Sequence, residues 1–354
     1  MRKESVSFLQ ELVEAPSPSG FEQPAQRVVR DHVGAFSDEV RTDVHGNVIA
    51  AVNPGGSPRV MFAGHCDQVG MMVRFISKEG FVHFGSIGGI DPVILPGSRV
   101  TVHADKGPVI GVIPRKAVHL MRGEERGKAK VQMSDLYIDI GATSRRTAER
   151  RVAIGDPITY ELGMRTLHRD IVASPGFDDK IGSFIVMEAL RLLSRRKLRA
   201  AVFAVSTVQE ELGLRGARTS CFGIDPLVGI AVDVTHATDY PGAEKKIGGD
   251  IRLGKGPVIE RGANINPMVG ELLLKAAKRK KIPHQIAGAP GATGTDANAM
   301  QISRAGVAAG LVSVPNRYMH TPVELVHLRD LTNAARLLAE TTVRIDDKMD
   351  FVPR

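Results

Sequence analysis

The spacing of apolar positions divides the chain into two textures. Ser5–Val13 shows helical periodicity and stops before Pro16. "SPSGFEQPAQRVVRDHV" restarts a helix, with polar caps and Gly20 at the join. "NVIAAV" and "RVMFAGHCD" read as strands. After Asp67 the pattern changes. From about Val69 to about Thr166 come short β-like runs: "GMMVRFI", "GFVHFGSIG", "SRVTVHA", "GPVIGVIP", "LYIDIG" and "DPITYEL". Gly, Pro and Asp punctuate them at short intervals, which predicts an all-β module, a small barrel. Met121–Met133 reads as a charged loop within it, expected to be mobile.

From Asp178 helices and strands alternate. "DDKIGSFIVMEALRLLSRR" is an amphipathic helix, and "LRAAVFAVSTV" and "DPLVGIAVDV" are buried strands. "NPMVGELLLKAAKRKK" is a helix, "HQIAGAP" extended, "DANAMQIS" a short helix, "AGVAAGLVSVP" a strand and "RDLTNAARLLAETTVRI" a closing helix. Such alternation predicts a mostly parallel sheet covered on both faces. The expected fold is α/β: a mixed, mostly parallel sheet sandwiched by helices, with an inserted small β-barrel domain. Residues 1–68 and 167–354 form the first domain and residues 69–166 the insert.

Composition narrows the function classes. A chain of 354 residues, 43% hydrophobic and 24% charged, can bury a large core and is not disordered by default. The net charge of +8 raises nucleic acid or an acidic surface as a partner. The basic runs argue otherwise. Arg145–Arg151, Leu193–Arg199 and Lys275–Lys281 lack interleaved aromatics, and two of them look like helix ends, where cations suit the macrodipole. Nucleic acid is therefore a disfavoured partner. Two distant cysteines, Cys66 and Cys221, imply no disulfide framework and a cytoplasmic setting. No signal peptide and no membrane span are expected.

Candidate chemistry gathers at or just after predicted strands, where an open α/β sheet forms its ligand crevice. In "AGHCDQVG", His65 and Asp67 point to one side of an extended chain, so Asp67 can orient the imidazole toward a metal. In "SPGFDDKIG", helix capping explains one of Asp178 and Asp179 and leaves the other free to bridge metals. In "VQEELGLRGA", the adjacent Glu210 and Glu211 repel each other unless cations or protons intervene. Glu211 could bind metal while Glu210 faces a water as general base. Asp233 ends an apolar strand and wants a partner, with His236 and Asp239 following in a loop. His236 reads as lining a pocket rather than as a ligand. His320, in "VSVPNRYMHTPVE", supplies a second imidazole. A two-metal site with a bridging carboxylate needs this inventory.

The set resembles the M42 family of co-catalytic metallo-aminopeptidases, also labelled glutamyl or deblocking aminopeptidase or endoglucanase M. The likeness covers nearly the whole chain and includes "GHCDQVG", "GFDDKIG", "VQEELGLRGA", "VDVTHATDYPG", "GATGTDANAM" and "VSVPNRYMHTPVE". It implies a zinc-peptidase type of sheet with an inserted β domain. It implies two divalent ions, zinc or cobalt, with Asp178 bridging them. His65 and Asp233 would complete one site, and Glu211 and His320 the other. Glu210 would be the general base and Asp67 would orient His65. Asp179 would follow Asp178 through a cis peptide. Thr293, Gly294, Thr295 and Asp296 match a "GTDA"-type segment near the substrate. The family also implies peptide substrates and homo-oligomers, from dimers to hollow dodecamers joined through the β insert.

Two positions depart from the family's usual H-M-D-E: Cys66 and Gln68. The first is expected to make the site sensitive to thiol reagents, the second to alter its field. Two other functions compete: a deblocking enzyme or deacylase on the same site, and a basic binding protein with a relict site. A glycosidase would use opposed carboxylates without histidines or metals.

Overall fold

The computed structural model describes residues 1–121 and 131–354. Most of the charged loop expected at Met121–Met133 (residues 122–130) lies outside the described residues. The chain forms two compact units. The first takes residues 1–68, 163–319 and 323–354; the second takes residues 69–162 with His320–Pro322.

The first unit opens with α1 (Lys3–Glu14), α2 (Gln23–Val33), β1 (Glu39–Thr42), β2 (Val48–Val52) and β3 (Arg59–His65). The second unit contributes β4 (Gly70–Ile76), β5 (Val82–Ile87), β6 (Arg99–Ala104), β7 (Gly107–Val112), the short α3 (Arg145–Glu149) and β8 (Pro157–Tyr160). The first unit resumes with β9 (Arg165–His168), β10 (Ile171–Ala173), α4 (Phe177–Leu193), β11 (Ala201–Thr207), α5 (Arg215–Ile224) and β12 (Val228–His236). It closes with α6 (Lys245–Gly248), β13 (Val258–Gly262), α7 (Pro267–Arg279), β14 (Gln285–Ala289), α8 (Asp296–Gln301), β15 (Ala308–Asn316), β16 (Leu325–His327) and α9 (Leu328–Thr342).

An eight-stranded mixed sheet organises the first unit, in the order β1-β2-β11-β3-β12-β15-β13-β14. Its centre, β11-β3-β12-β15, is parallel throughout. Strand alternation feeds two cores. Val60 and Phe62 of β3 join one face with Leu9, Val29, Ile185, Leu273 and Leu338 from α1, α2, α4, α7 and α9. Met61 and Ala63 join the other with Ala217, Cys221, Ala297 and Met300 from α5 and α8. Burial on both faces explains why these strands read as continuous apolar runs.

The second unit is an antiparallel sheet in the order β5-β4-β8-β6-β7 around its own core, which includes Met71, Val100, Val102, Ile158 and Tyr160. The expected strand at "LYIDIG" is not one. The segment crosses between the two edge strands, so Ile138 bridges Val82, and Asp139 bridges Val112, by one residue each.

Strand β12 does not stop at Asp233. Its pairing with β15 runs on from Asp233↔Ser313 to His236↔Asn316, so His236 ends the strand rather than standing in a loop.

One close crossing sets the site. A Cβ on Gly64 would collide with the backbone carbonyl of Gly182, so only glycine lets β3 and α4 approach this closely. Ser183 donates to the Gly64 carbonyl at 2.9 Å across the same crossing. It brings the start of α4 beside the tip of β3. Gly64→Ala is expected to lower unfolding stability by about 1–3 kcal/mol, or to abolish folding, because backbone rather than a flexible side chain blocks the new methyl. Urea denaturation measures this, and wild-type stability would refute the crossing.

Candidate metal centre and active site

The parallel strands deliver their carboxyl ends to one side of the first unit. His65 is the last residue of β3 and is in register with Thr207, the last of β11. The turn after β11 carries Glu210 and Glu211, and α4 opens with Asp178 and Asp179. The Asp178–Asp179 peptide is cis, as the resemblance implied. Both residues have non-helical backbone within the first turn of α4. Asp179 serves as the cap, accepting the Gly182 amide at 3.0 Å and the His65 amide at 3.2 Å. Asp178 is thereby left facing the imidazole.

His65 is the hub. Its Nε2 lies 3.3 Å from Asp178 Oδ1 and 3.7 Å from Glu210 Oε2. Its Nδ1 lies 2.9 Å from the Asp67 carbonyl oxygen but 3.4 Å from the Asp67 carboxylate. The tighter orienting contact is therefore main chain. Because a carbonyl oxygen can only accept, the contact keeps a proton on Nδ1, and it turns Nε2 toward the acids. The Asp67 carboxylate is engaged elsewhere. It accepts the backbone amides of Glu210 at 3.0 Å and Glu211 at 3.2 Å, and the Ser19 hydroxyl at 2.7 Å.

His65, Asp178 and Asp233 are all buried, and each offers a ligand atom within 4.8 Å of the others'. Glu211 offers a carboxylate oxygen within the same distance of one on Asp178. His320 groups with the second unit, where its Nδ1 meets the Gly89 carbonyl at 2.9 Å.

The electrostatics fit a cation. Burial pushes the Asp233 carboxyl well above the usual range; His65 opposes this, while Asp178 and Asp296 add to it. Burial pushes Glu210 up to about 10; His65 opposes this, while Asp233, Asp296 and Glu211 add to it. Asp179 is raised well above its ordinary value, first by burial and then by Asp233. For His65, burial works against the charged form, but Glu210, Asp178 and Asp67 outweigh it and hold the imidazole well above its usual value. Carboxylates crowded in low dielectric are stabilised by protons or by cations. A buried set of one imidazole and two carboxylates is a divalent-metal donor set.

Asp296 begins α8, is buried, and accepts the Thr207 hydroxyl at 2.6 Å, which ties it to the tip of β11. Burial raises it to about 6. Thr293 is engaged locally with Asn264, Asn298 and Thr295. Gly294 has a left-handed φ of 70°. His236 is exposed at the end of β12.

Two residues of the site had no sequence assignment. Glu324, in the quoted "HTPVE", accepts the Asp178 amide at 2.9 Å and the Asn316 side chain at 3.1 Å. Its position just after His320 was the available signal. Ser19 lies in a turn-rich loop and offered none.

Residues 46–337 match the profile described as M42 glutamyl aminopeptidase. The chain belongs to the M42 family. It is 40% identical to a lysyl aminopeptidase of Pyrococcus furiosus over 98% of this chain and 99% of that protein. A TET aminopeptidase from a marine-sediment archaeon of the Thaumarchaeota superposes with a TM-score of 0.93 at 36% identity, covering 98% and 97% of the two chains. The TET1 peptidase of Pyrococcus horikoshii, described as assembling into a tetrahedron or a large octahedral shell, gives 0.86 at 30%, covering 96% and 100%. This M42 chain is accordingly an enzyme, a peptide hydrolase of the aminopeptidase class. Its large mixed α/β sheet is the fold that these structures share.

The expectation for Cys66 is corrected. Its side chain is fully buried in the core facing α1 and α4, and burial pushes the thiol well up. Cys221 is also fully buried, and burial raises it to about 11. Gln68 is buried too and packs beside Gly176, where a Cβ would come within 3.1 Å of it. Neither cysteine should react with an aromatic disulfide reagent in the folded protein, and both should react in guanidinium. Prompt labelling of native Cys66 would contradict this packing.

Proposed function

We propose that this M42 enzyme is a co-catalytic two-metal aminopeptidase that removes the N-terminal residue of peptides. The buried His65–Asp178–Asp233 set, with Glu210 Oε2 3.7 Å from the His65 Nε2, carries the reading. Asp178 would be shared between two ions, zinc or cobalt. His65 and Asp233 would hold one, and Glu211 with His320 the other. Such ions lower the pKa of a water and polarise a carbonyl.

The chain's own residues do the rest. Glu210 takes the proton of the attacking water and gives it to the leaving amine. Cations beside it would favour the charged form that a base needs. Asp67 is a positioning residue, holding His65 by its carbonyl and the Glu210–Glu211 turn by its carboxylate. Thr293, Gly294, Asp296 and His236 are read as lining the substrate side. The acids near the metals suit a free α-amine, which favours peptides with an unblocked N-terminus.

The second unit, residues 69–166 as first delimited, is read as a small barrel closed through Ile138 and Asp139, and as the surface that joins copies. The shells named for the horikoshii relative support a homo-oligomer, from dimer to dodecamer. Two free, buried cysteines support a cytoplasmic setting. Among the described residues no helix is long and apolar enough to cross a membrane. Basic runs at the ends of α4 and α7 leave nucleic acid disfavoured.

Free and N-acetylated peptides, assayed with added zinc or cobalt and again after chelation, test the reaction. The expected result is cleavage of the free-amine peptides only, lost on chelation and restored by metal. Cleavage of the acetylated set would make the enzyme a deblocking enzyme or deacylase. No cleavage by metal-loaded protein would leave a binding protein with a relict site. Glu210→Gln is expected to cut kcat at least about 100-fold while calorimetry shows unchanged metal stoichiometry. Full activity in that variant would remove Glu210 from the role of base.

A further inference from the structure

The turn that carries Glu210 is held from outside. Four consecutive backbone amides donate to side-chain oxygens rather than to a strand or helix partner. Val208 donates to Asn47 Oδ1 at 3.1 Å, Gln209 to Glu22 Oε1 at 3.2 Å, Glu210 to Asp67 Oδ1 at 3.0 Å and Glu211 to Asp67 Oδ2 at 3.2 Å. The acceptors come from three separate segments of the first unit. Within this ladder Gln209 is strained: its φ of 53° is in the left-handed region, where residues other than glycine are uncommon. Backbone strain of that kind persists only where the surroundings enforce it.

Glu22 supplies the enforcement at that position. It is only 4% exposed, and the same oxygen also accepts the Gly20 amide at 2.8 Å. It precedes α2 without capping it by its side chain. Its carboxylate is thus committed to its own loop and to Gln209. Asp67, by contrast, also touches His65, and Asn47 serves a residue two places before the base.

We propose that Glu22 is a positioning residue for the base: by accepting the Gln209 amide it holds that residue left-handed and so sets the direction in which the Glu210 carboxylate leaves the turn. The inference rests on Glu210 being the base. It requires an acceptor oxygen at this reach, not a charge.

The test compares Glu22→Ala with Glu22→Gln in the full chain, each loaded with zinc. Hydrogen–deuterium exchange of the peptide spanning residues 208–214 reads the turn directly. Steady-state kinetics on the best peptide of the panel and metal content complete the comparison. The expected result for Glu22→Ala is faster exchange in that peptide and a kcat lower by about 10- to 100-fold, the range for loss of a supporting residue, with KM and metal content unchanged. Glu22→Gln, which keeps the oxygen, should retain wild-type exchange and kcat. Unchanged exchange in Glu22→Ala overturns the proposal whatever the activity. An equal loss in both variants also overturns it, since charge would then matter rather than the acceptor. If Glu22→Ala does not fold, Glu22→Asp, whose oxygen falls short of Gln209, takes its place with the same expected losses. Wild-type protein that cleaves no peptide would defeat the aminopeptidase reading alone, because exchange still reports whether Glu22 holds the turn.

Discussion

Like charges held close together in a buried place govern this protein. Asp178, Asp233 and Glu210 converge around His65, all of them buried. Water would screen such a cluster, but here it is largely excluded, so the Glu210 and Asp233 carboxyls are pushed toward their neutral forms. The arrangement costs folding energy unless cations occupy it. A fold pays that kind of cost where the resulting field does chemistry.

The surrounding structure holds the cluster by main-chain geometry. Parallel strands end at one level, so residues distant in sequence meet. Gly64 at the β3–α4 crossing admits the start of α4 to that level. Asp179 caps the helix and also takes the His65 amide, which frees Asp178 to face the imidazole. Around this, further acids turn inward onto backbone amides: Asp67 onto the Glu210–Glu211 turn, Glu22 onto Gln209 and Glu324 onto Asp178. One layer of carboxylates faces His65, and the next layer, satisfied by amide donors, fixes where the first one points. Amide donors suit this use because a carboxylate that receives them stays buried at lower cost.

Elements packed on both sides are legible in the amino-acid pattern. The central strands β3, β11, β12 and β15 are apolar runs because helices cover both faces, and α7 and α9 show the matching one-sided periodicity, whereas α4, expected to be amphipathic, is buried without a break from Phe177 to Leu190. Short or exposed elements are not legible in this way. β1 and β9 are exposed along their whole length, so no apolar pattern marks them. Helix α5, "RGARTSCFGI", has weak helix formers, and the sheet that receives Ala217, Cys221 and Ile224 decides its conformation. "LYIDIG" has the composition of a strand but bridges two edges by single residues.

The sequence by itself determined the chemical inventory. The paired acids at strand and helix ends, the histidines and the glycine-marked turns stand in an order that matches one family, because ligand chemistry restricts which residue types can serve. Tertiary structure alone decided how each is used. It gave Asp67's carbonyl rather than its carboxylate the closer hold on His65. It buried Cys66 in the core away from reagents. It recruited Glu22, Ser19 and Glu324, which come from loops and carry no periodic signal. The physical reason is that a hydrogen bond depends on where two remote segments arrive, and that is settled only when the sheet, its register and the β3–α4 crossing are in place.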